Sequence, residues 1–361
     1  MSSPACVDIC IVNYFGAADV REALRVLGPW PRGRILVVDN SADASEAQAL
    51  AQALRGRDGV ECIDAQANLG FGRGCNLAYA RSSAAFFLLL NPDARITAAA
   101  LEALVKELEA QPRCAALSPR MWWNPRRTFL LPAAFAQTPA YTLSLTLAPR
   151  FRALARIAAR HHLRHQRALM ECPGTSRVDF LSGAVLLVRR EAVDACGGLF
   201  DPDYFMFFED SDLSLRLRAG GWTLGVSGAA DAVHEYRHKA SKGPLMAQAR
   251  DIYFRKRYPL FWRLSGGLRR VDALARPLRT APSEVLPRPC RTLEDFHAQA
   301  GTHAVEAFSP SPLLMPAIFR PRTAAPSPFT QDEWQLLEPA RYAALLRDAA
   351  GAMHWVHFDR A

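Results

Sequence analysis

The stretch FFLLLNPDAR, Phe86 to Arg95, joins an uninterrupted apolar run to a polar turn. Five apolar residues in succession are typical of a strand that is buried on both faces. Pro92 cannot donate to a sheet ladder, so it ends the pairing. Asp93 then brings a carboxylate to the strand end, where it either completes a turn or holds a divalent cation.

On both sides of this run the sequence alternates between strand patterns and helix patterns. The other strand patterns cover residues 7–14, 34–41, 59–65 and the start of 178–193. Helix patterns cover 19–27, 44–56, 72–82 and 97–112, the last with Thr97 as its expected N-cap. The alternation predicts an α/β fold, a mostly parallel sheet with helices on both faces. A final helix is expected within 332–350.

The bulk composition limits the class of protein. The chain has 361 residues, of which 50% are hydrophobic and 22% charged, so a large core is expected and overall disorder is not. The net charge of +9 fits an anionic partner, such as nucleic acid, anionic lipid or a phosphate-bearing substrate, or only reflects an Arg-rich codon usage. Eight cysteines without a CxxC pair, and an N-terminus without signal-peptide features, predict a reduced cytoplasmic protein.

Two segments raise the question of a membrane. Residues 128–149 carry no charge, but prolines and hydroxyl residues interrupt them, which favours a loop or surface segment over a membrane span. Residues 148–170 are rich in Arg and His and have the spacing of a basic amphipathic helix. Such a helix is either a solvated charged face or a contact with an anionic membrane surface.

Polar residues follow the strand patterns. In an open parallel sheet these positions share one edge, where ligands bind. Asp39 there either accepts a hydrogen bond from a pyrimidine ring or caps the next helix, and Gly70, Gly72 and Gly74 would let the backbone approach a phosphate. The residues at this edge are Asn13, Tyr14, Asp39, Asn40, Ser41, Asn68, Gly70, Asn76, Asn91 and Asp93.

A second informative stretch, FMFFEDSDLSLRLRAGGW (205–222), places three carboxylates at the start of a helix pattern. Glu209, Asp210 and Asp212 there either favour the helix dipole or supply a general base beside aromatic surface. Further on, His234 is a candidate ligand for a metal or a phosphate, although a lone histidine is more often structural.

Taken in order, these motifs resemble family 2 glycosyltransferases, in particular the bacterial rhamnosyltransferase-like branch. The matching pieces span roughly 7–242 and are IVNY, VVDNS, NLGFGRGCN, LLLNPD, FLSGAVLLVRREA, GGLFDPDYFMFFEDSDLSLRLRAGGW and VHEYRHKAS. The resemblance implies a GT-A fold with a Rossmann-like sheet and an inverting, metal-dependent hexosyltransferase of cell-wall or polysaccharide biosynthesis. It also implies a dTDP- or UDP-sugar donor, with rhamnose as the first candidate sugar, and a glycan or lipid-linked acceptor.

The resemblance also assigns roles to single residues. Asp210 matches the catalytic base, with Glu209 and Asp212 in support. Asp93 and His234 match the residues around a Mg²⁺ or Mn²⁺ ion, and Asn91 stands where the family often has a first acid. The residues that would bind the nucleotide or donor are Asn13, Tyr14, Asp39, Asn68, Gly70, Asn76 and Asn91.

The expected organisation is a glycosyltransferase domain at 1–245 with a variable insertion at about 122–177. A basic helical extension (246–282) and a segment of unknown role (283–361) would follow as a helical or irregular C-terminal extension. The alternative is a catalytically inactive nucleotide-sugar-binding scaffold. Nucleic acid is not an expected partner, because no stacking platform accompanies the basic segment. The expected location is the cytoplasm, compatible with peripheral contact at the inner face of the membrane.

Overall fold

The computed structural model describes residues 6–133, 135–147, 152–236, 242–274 and 284–361. The strands are β1 (Val7–Asn13), β2 (Ile35–Asp39), β3 (Val60–Asp64), β4 (Phe86–Leu90), β5 (Ala94–Ile96), β6 (Cys114–Trp122), β7 (Thr175–Val178), β8 (Val185–Arg189), β9 (Thr223–His234), β10 (Glu284–Val285), β11 (Ala304–Ser309), β12 (Ile318–Phe319), β13 (Ala340–Arg347) and β14 (Met353–Arg360).

The helices begin with α1 (Ala17–Leu27), α2 (Ala44–Leu54), α3 (Phe71–Arg81), α4 (Ala98–Glu109), α5 (Pro139–Leu147), α6 (Arg152–Met170) and α7 (Arg190–Ala195). They continue with α8 (Glu209–Ala219), α9 (Gly243–Arg257), α10 (Pro259–Leu264), α11 (Arg269–Leu274), α12 (Leu293–Ala300) and α13 (Gln331–Gln335). None of these helices, within the described ranges, combines the length and apolar content that a bilayer span requires.

A nine-stranded sheet forms the centre of the first part of the chain. Its order is β3-β2-β1-β4-β8-β6-β9-β5, and β7 pairs with β9. The strands β3, β2, β1 and β4 are parallel, as the alternating pattern predicts. The other half is mixed, because β8 is antiparallel to both β4 and β6, and β5 and β7 are antiparallel to β9.

The central strand β4 shows why its sequence is apolar throughout. Phe86, Leu88 and Leu90 join one hydrophobic cluster, which contains α1, α2 and α4. Phe87 and Leu89 point the other way and pack with α3, α7 and α8. Since alternate residues of a strand face opposite sides of the sheet, helices on both faces require apolar residues at every position.

The C-terminal part differs from the expected helical or irregular extension. It contains a five-stranded sheet of order β10-β14-β13-β11-β12. The helix expected within 332–350 is wrong: α13 ends at Gln335, and 340–347 form β13 between β14 and β11. Its Ala and Leu residues favour a helix in isolation, but pairing on both sides and burial decide the outcome.

The insertion at about 122–177 connects the two sheets. Trp123 and Phe129 belong to the aromatic core of the C-terminal sheet. Leu130 exchanges two backbone hydrogen bonds with Phe319, at 2.8 and 3.0 Å. The expected amphipathic helix is present as α6 from residue 152, whereas residues 148–151 lie outside the described part of the chain.

Candidate active site at the sheet edge

The first group of predicted residues meets at the carboxyl ends of β1 and β2. Asn13 lies opposite Asp39 in the parallel register, and its Nδ2 donates to Asp39 Oδ1 at 3.3 Å. Asp39 Oδ1 also accepts from the backbone N–H of Ser41 at 3.1 Å. The helix-cap interpretation of Asp39 is wrong, because Asp43 caps α2 by accepting from the N–H of Glu46.

Two aromatic rings stand exposed beside this pair. Tyr14 is 53% exposed and Phe15 57%, and their rings are 5.0 Å apart in an edge-to-face arrangement. The backbone N–H of Phe15 donates to Ser41 Oγ at 3.0 Å, which ties the β1 loop to the β2 loop. Exposed rings next to a polar strand end can stack on a planar base.

The loop before α3 is held by amide side chains. Asn40 Nδ2 donates to Asn68 Oδ1 at 3.2 Å and to the carbonyl of Gly70 at 3.1 Å. Asn68 Oδ1 in turn accepts from the N–H of Gly70 at 3.1 Å. Gly70 has φ +81°, and a Cβ there would lie 2.1 Å from the carbonyl oxygen of Phe205. Only glycine therefore permits this close approach of two loops.

Asn76 has a different position from the one expected of a donor ligand. Its Nδ2 donates to the carbonyl of Phe200 at 2.7 Å, and its Oδ1 accepts from the N–H of Phe200 at 3.0 Å. Both ends of the amide are thus used to fix the loop that leads to α8. This contact gives Asn76 a positioning role in the described structure, and donor binding by its side chain stays a prediction.

Asp93 and His234 are brought together by β-pairing. Ala94 lies opposite His234 in the antiparallel β5–β9 pair, which places the preceding Asp93 beside the imidazole. Asp93 Oδ1 and His234 Nε2 are 3.3 Å apart. Burial raises the pKa of Asp93, but the hydrogen bond and charge of His234 and the charge of Lys242 outweigh it, so the pKa lies below its ordinary value.

These two side chains fit a divalent cation. Neighbouring ligands on a Mg²⁺ octahedron with bonds of about 2.1 Å are about 3.0 Å apart, close to the observed separation. The Asp93 side chain is 49% exposed, so a cation held by it would be accessible to a substrate. The described residues contain no group of three or more metal-ligating side chains.

Asp210 lies at the same edge, at the amino end of β8. Its Oδ2 accepts from the N–H of Gly183 at 3.2 Å. The next residue, Ala184, accepts from the N–H of Asn91 at 2.8 Å, so one short backbone segment connects the Asn91 turn to Asp210. Burial raises the pKa of Asp210, and the N–H groups of Gly183 and Ser211 lower it. Burial has the larger effect, so the pKa is about 6. A carboxylate with this pKa is ionised at neutral pH and still basic enough to accept a proton.

The two flanking acids are not in equivalent positions. Glu209 is 5% exposed, and its Oε2 has no hydrogen-bond partner among the described residues. Burial and the charge of Asp210 raise the pKa of Glu209, which favours its protonated form.

Asp212 is fully buried and paired with two arginines. Its Oδ2 accepts from Arg216 Nε at 2.8 Å, and its Oδ1 accepts from Arg257 Nε and from the hydroxyl of Tyr204 at 3.3 Å. The side chain is therefore occupied by the protein. Because Arg257 ends α9, this ion pair joins α9 to the helix that carries Asp210.

The backbone before Asp210 is strained. Phe207 and Phe208 both have left-handed φ values, 71° and 64°. This conformation costs bulky L-residues about 1–2 kcal/mol each and persists only where packing enforces it. Both rings pack on a cluster that includes Tyr204, Tyr253 and Phe254. The aromatic run before Asp210 thus holds the start of α8 in place.

Comparison with known proteins supports a glycosyltransferase. Residues 8–173 match the family model described as glycosyl transferase family 2. The match includes β1 to β6 and supports a glycosyltransferase of family 2. Two relatives from Mycobacterium tuberculosis strains, CDC 1551/Oshkosh and ATCC 25618/H37Rv, are named N-acetylglucosaminyl-diphospho-decaprenol L-rhamnosyltransferase; each is 28% identical over 259 residues, covering 65% of this chain and 80% of the relative. The rhamnosyltransferase-like branch predicted for this glycosyltransferase is thereby confirmed.

The fold has a solved counterpart. The mannosyltransferase PcManGT from Pyrobaculum calidifontis, in complex with GDP-Man and Mn²⁺, superposes with a TM-score of 0.50 at 15% identity. The match covers 76% of this chain and 73% of that one. It confirms the GT-A type fold predicted for this family 2 glycosyltransferase.

Several site residues escaped the sequence analysis. Glu46 Oε1 accepts from Asn13 Nδ2 at 3.0 Å and from the N–H of Ala17 at 2.8 Å, which joins three elements. Gly183 and Lys242 act on Asp210 and Asp93 through a hydrogen bond and a charge, respectively. The sequence carries no local signal for these contacts, because each depends on the pairing of distant segments.

Proposed function

We propose that this glycosyltransferase transfers a sugar, with L-rhamnose as the first candidate, from a dTDP- or UDP-sugar to a hydroxyl group of a lipid-linked glycan, with inversion. The names of the mycobacterial relatives support the sugar and the polyprenyl-linked class of acceptor. The observation that carries the mechanism is the position of Asp210, held by Gly183 at the edge where β1, β2 and β4 end. The product would enter cell-surface polysaccharide synthesis.

Asp210 acts as the base in a single displacement. Its ionised carboxylate accepts the proton of the acceptor hydroxyl while that oxygen forms a bond to the anomeric carbon. The bond between this carbon and the diphosphate oxygen breaks, and its electron pair leaves with the nucleoside diphosphate. Because attack and departure occur on opposite faces, the configuration at the anomeric carbon inverts.

The donor lies along the carboxyl ends of β1, β2 and β4. Asp39 and Asn13 orient the pyrimidine, and the exposed ring of Tyr14 covers it. Asp93 and His234 would hold a Mg²⁺ or Mn²⁺ ion. That ion, when bound, neutralises charge on the leaving diphosphate, and the ammonium group of Lys242 adds positive charge on the same side of the site.

The enzyme works at the cytoplasmic face of the membrane that holds its acceptor. The outward face of α6 supports a peripheral contact: Arg156, Arg160 and Arg164 are exposed and follow one another at helical spacing. The inactive-scaffold alternative gains no support from the relatives, which are named as transferases.

The deciding experiment compares Asp210→Asn with Asp58→Asn, an exposed carboxylate remote from the edge. We expect Asp210→Asn to lose at least 100-fold in transfer, as general-base catalysis contributes about 10²–10⁴-fold. It should keep the wild-type thermal shift with dTDP or UDP and Mn²⁺, and Asp58→Asn should behave as wild type. NMR of the product reports inversion. Near-normal turnover by Asp210→Asn, or retained configuration, contradicts the proposal.

A further inference from the structure

The helices α9 and α10 expose large apolar side chains to solvent. Leu260 is 71% exposed and Leu264 65%, the highest values among the large hydrophobic residues of the described chain. They are four residues apart and therefore lie on one face of α10. Leu245 and Met246, at the start of α9, are also exposed. Exposed apolar side chains that adjoin on one helix face, as Leu260 and Leu264 do, are typical of an interaction surface.

The same segment is strongly basic. Residues 252–271 contain no Asp or Glu. Two of the cations are bound to the glycosyltransferase domain: Lys256 pairs with Asp201 and Asp203, and Arg257 with Asp212. The exposed cations beside the leucines are Arg255, Arg263, Arg269 and Arg270. Apolar side chains flanked by arginines are the composition of an element that lies in the interface of an anionic membrane.

The apolar face is firmly connected to the catalytic helix. Arg257 bonds Asp212, two residues after Asp210. The rings of Phe208 and Tyr253 are 5.4 Å apart, and those of Phe254 and Phe261 5.6 Å, so the aromatic packing continues from the start of α8 into α10. A membrane that contacts α10 would therefore lie at a fixed distance from the base.

We propose that α10, with its two exposed leucines and the flanking arginines, is the element that docks this enzyme on an anionic lipid bilayer. The leucines enter the acyl boundary and the arginines bind lipid phosphates. The proposal rests on the proposed function in one respect, since a lipid-linked acceptor gives the docking its purpose. It assigns the apolar contact with the membrane to α10, whereas the exposed arginines of α6 would contribute mainly electrostatic attraction.

The test measures sedimentation of the full-length protein with vesicles of phosphatidylcholine alone, or of equal parts phosphatidylcholine and phosphatidylglycerol. Wild type should bind the anionic vesicles and release at high salt. Leu260→Ser with Leu264→Ser should weaken binding at least about tenfold, because less apolar area is buried. Arg263→Gln with Arg269→Gln should weaken binding to anionic vesicles only.

Matched controls remove equivalent groups elsewhere. Val285→Ser with Met353→Ser removes two exposed apolar side chains from the C-terminal sheet, and Arg21→Gln with Arg55→Gln removes two exposed cations. Both pairs should bind as wild type does. Circular dichroism and melting of each variant establish that it is folded.

Four results would overturn the proposal. The first is that the wild-type protein does not bind anionic vesicles, and the second is that the leucine variant binds them as strongly as wild type. The third is that binding is lost only when Arg156, Arg160 and Arg164 of α6 are replaced by Gln. The fourth is a wild-type dimer, with no vesicle binding, that the leucine variant converts to a monomer, since a second copy would then cover α10.

Transfer to a water-soluble acceptor separates the two proposals. The leucine variant should keep wild-type turnover in this assay. A wild type that binds vesicles but transfers no sugar would contradict the proposed function and leave the docking surface standing.

Discussion

Replacing Arg257 by Gln tests whether α9 supports the catalytic helix. Asp212 is completely buried and its Oδ1 would lose the guanidinium, while Arg216 would keep its 2.8 Å bond to Oδ2. Breaking a buried pair outright costs about 3–5 kcal/mol. With the second arginine still in place, we expect the loss of one charge-assisted hydrogen bond, about 2 kcal/mol.

The matched control lies on the same helix as Asp210. Arg218 pairs with Asp179 at 2.9 Å, but both side chains are substantially exposed, 37% and 67%. Such a pair contributes about 0–1 kcal/mol. Calorimetry should therefore show the melting temperature falling by roughly 4–8 °C for Arg257→Gln, and by no more than about 2–4 °C for Arg218→Gln.

Activity provides a second readout, because Arg257 does not line the donor edge. We expect Arg257→Gln to lower kcat for transfer while the affinity for dTDP or UDP stays unchanged, and Arg257→Lys to recover part of the loss. If Arg257→Gln and Arg218→Gln have the same stability and the same kcat, the Asp212 pair does not support the site, and the reasoning fails.

Four further predictions concern the edge itself. Activity should fall as pH drops through about 6, where Asp210 takes up a proton, and a pH–rate profile with its acid limb near 4 would contradict this. Since the folded state raises the pKa of Asp210 above its ordinary value, its charge destabilises the fold above that range, so Asp210→Asn should gain melting temperature over wild type at pH 8 and lose the gain near pH 4. Asp93→Asn and His234→Ala should each raise the Mn²⁺ concentration needed for half-maximal transfer, measured by titration, and an unchanged requirement would exclude that side chain. Gly70→Ala should destabilise the protein by more than about 1–2 kcal/mol in chemical denaturation, because the new Cβ meets the Phe205 carbonyl at a left-handed φ.

The sequence was informative where structure is decided locally. The apolar strands β1, β2 and β4 and the capped helix α4 begin and end within a few residues of their predicted bounds, with Thr97 accepting from the N–H of Ala100. The rule that parallel strands end at a common edge also predicts that Asn13 and Asp39 share that edge, and the two side chains are hydrogen-bonded there.

The sequence was less informative where distant segments decide. The contact between Asp93 and His234 depends on the register of the β5–β9 pair. That register cannot be predicted from sequence, because β5 is only three residues long. The C-terminal sheet was missed because Ala and Leu in β13 suit a helix as well as a strand. Its strand state follows from pairing with β14 along the whole length of 340–347.

The three acids at the start of α8 show how a single motif divides into separate roles. Successive helical residues point about 100° apart, so Glu209, Asp210 and Asp212 cannot face one ligand together. Glu209 points into the core, Asp212 points to Arg216 and Arg257, and Asp210 meets Gly183 at the sheet edge. The motif therefore leaves one carboxylate, Asp210, at the sheet edge, and this is the group that we propose as the base. The left-handed backbone of Phe207 and Phe208 directly precedes it and leads into α8.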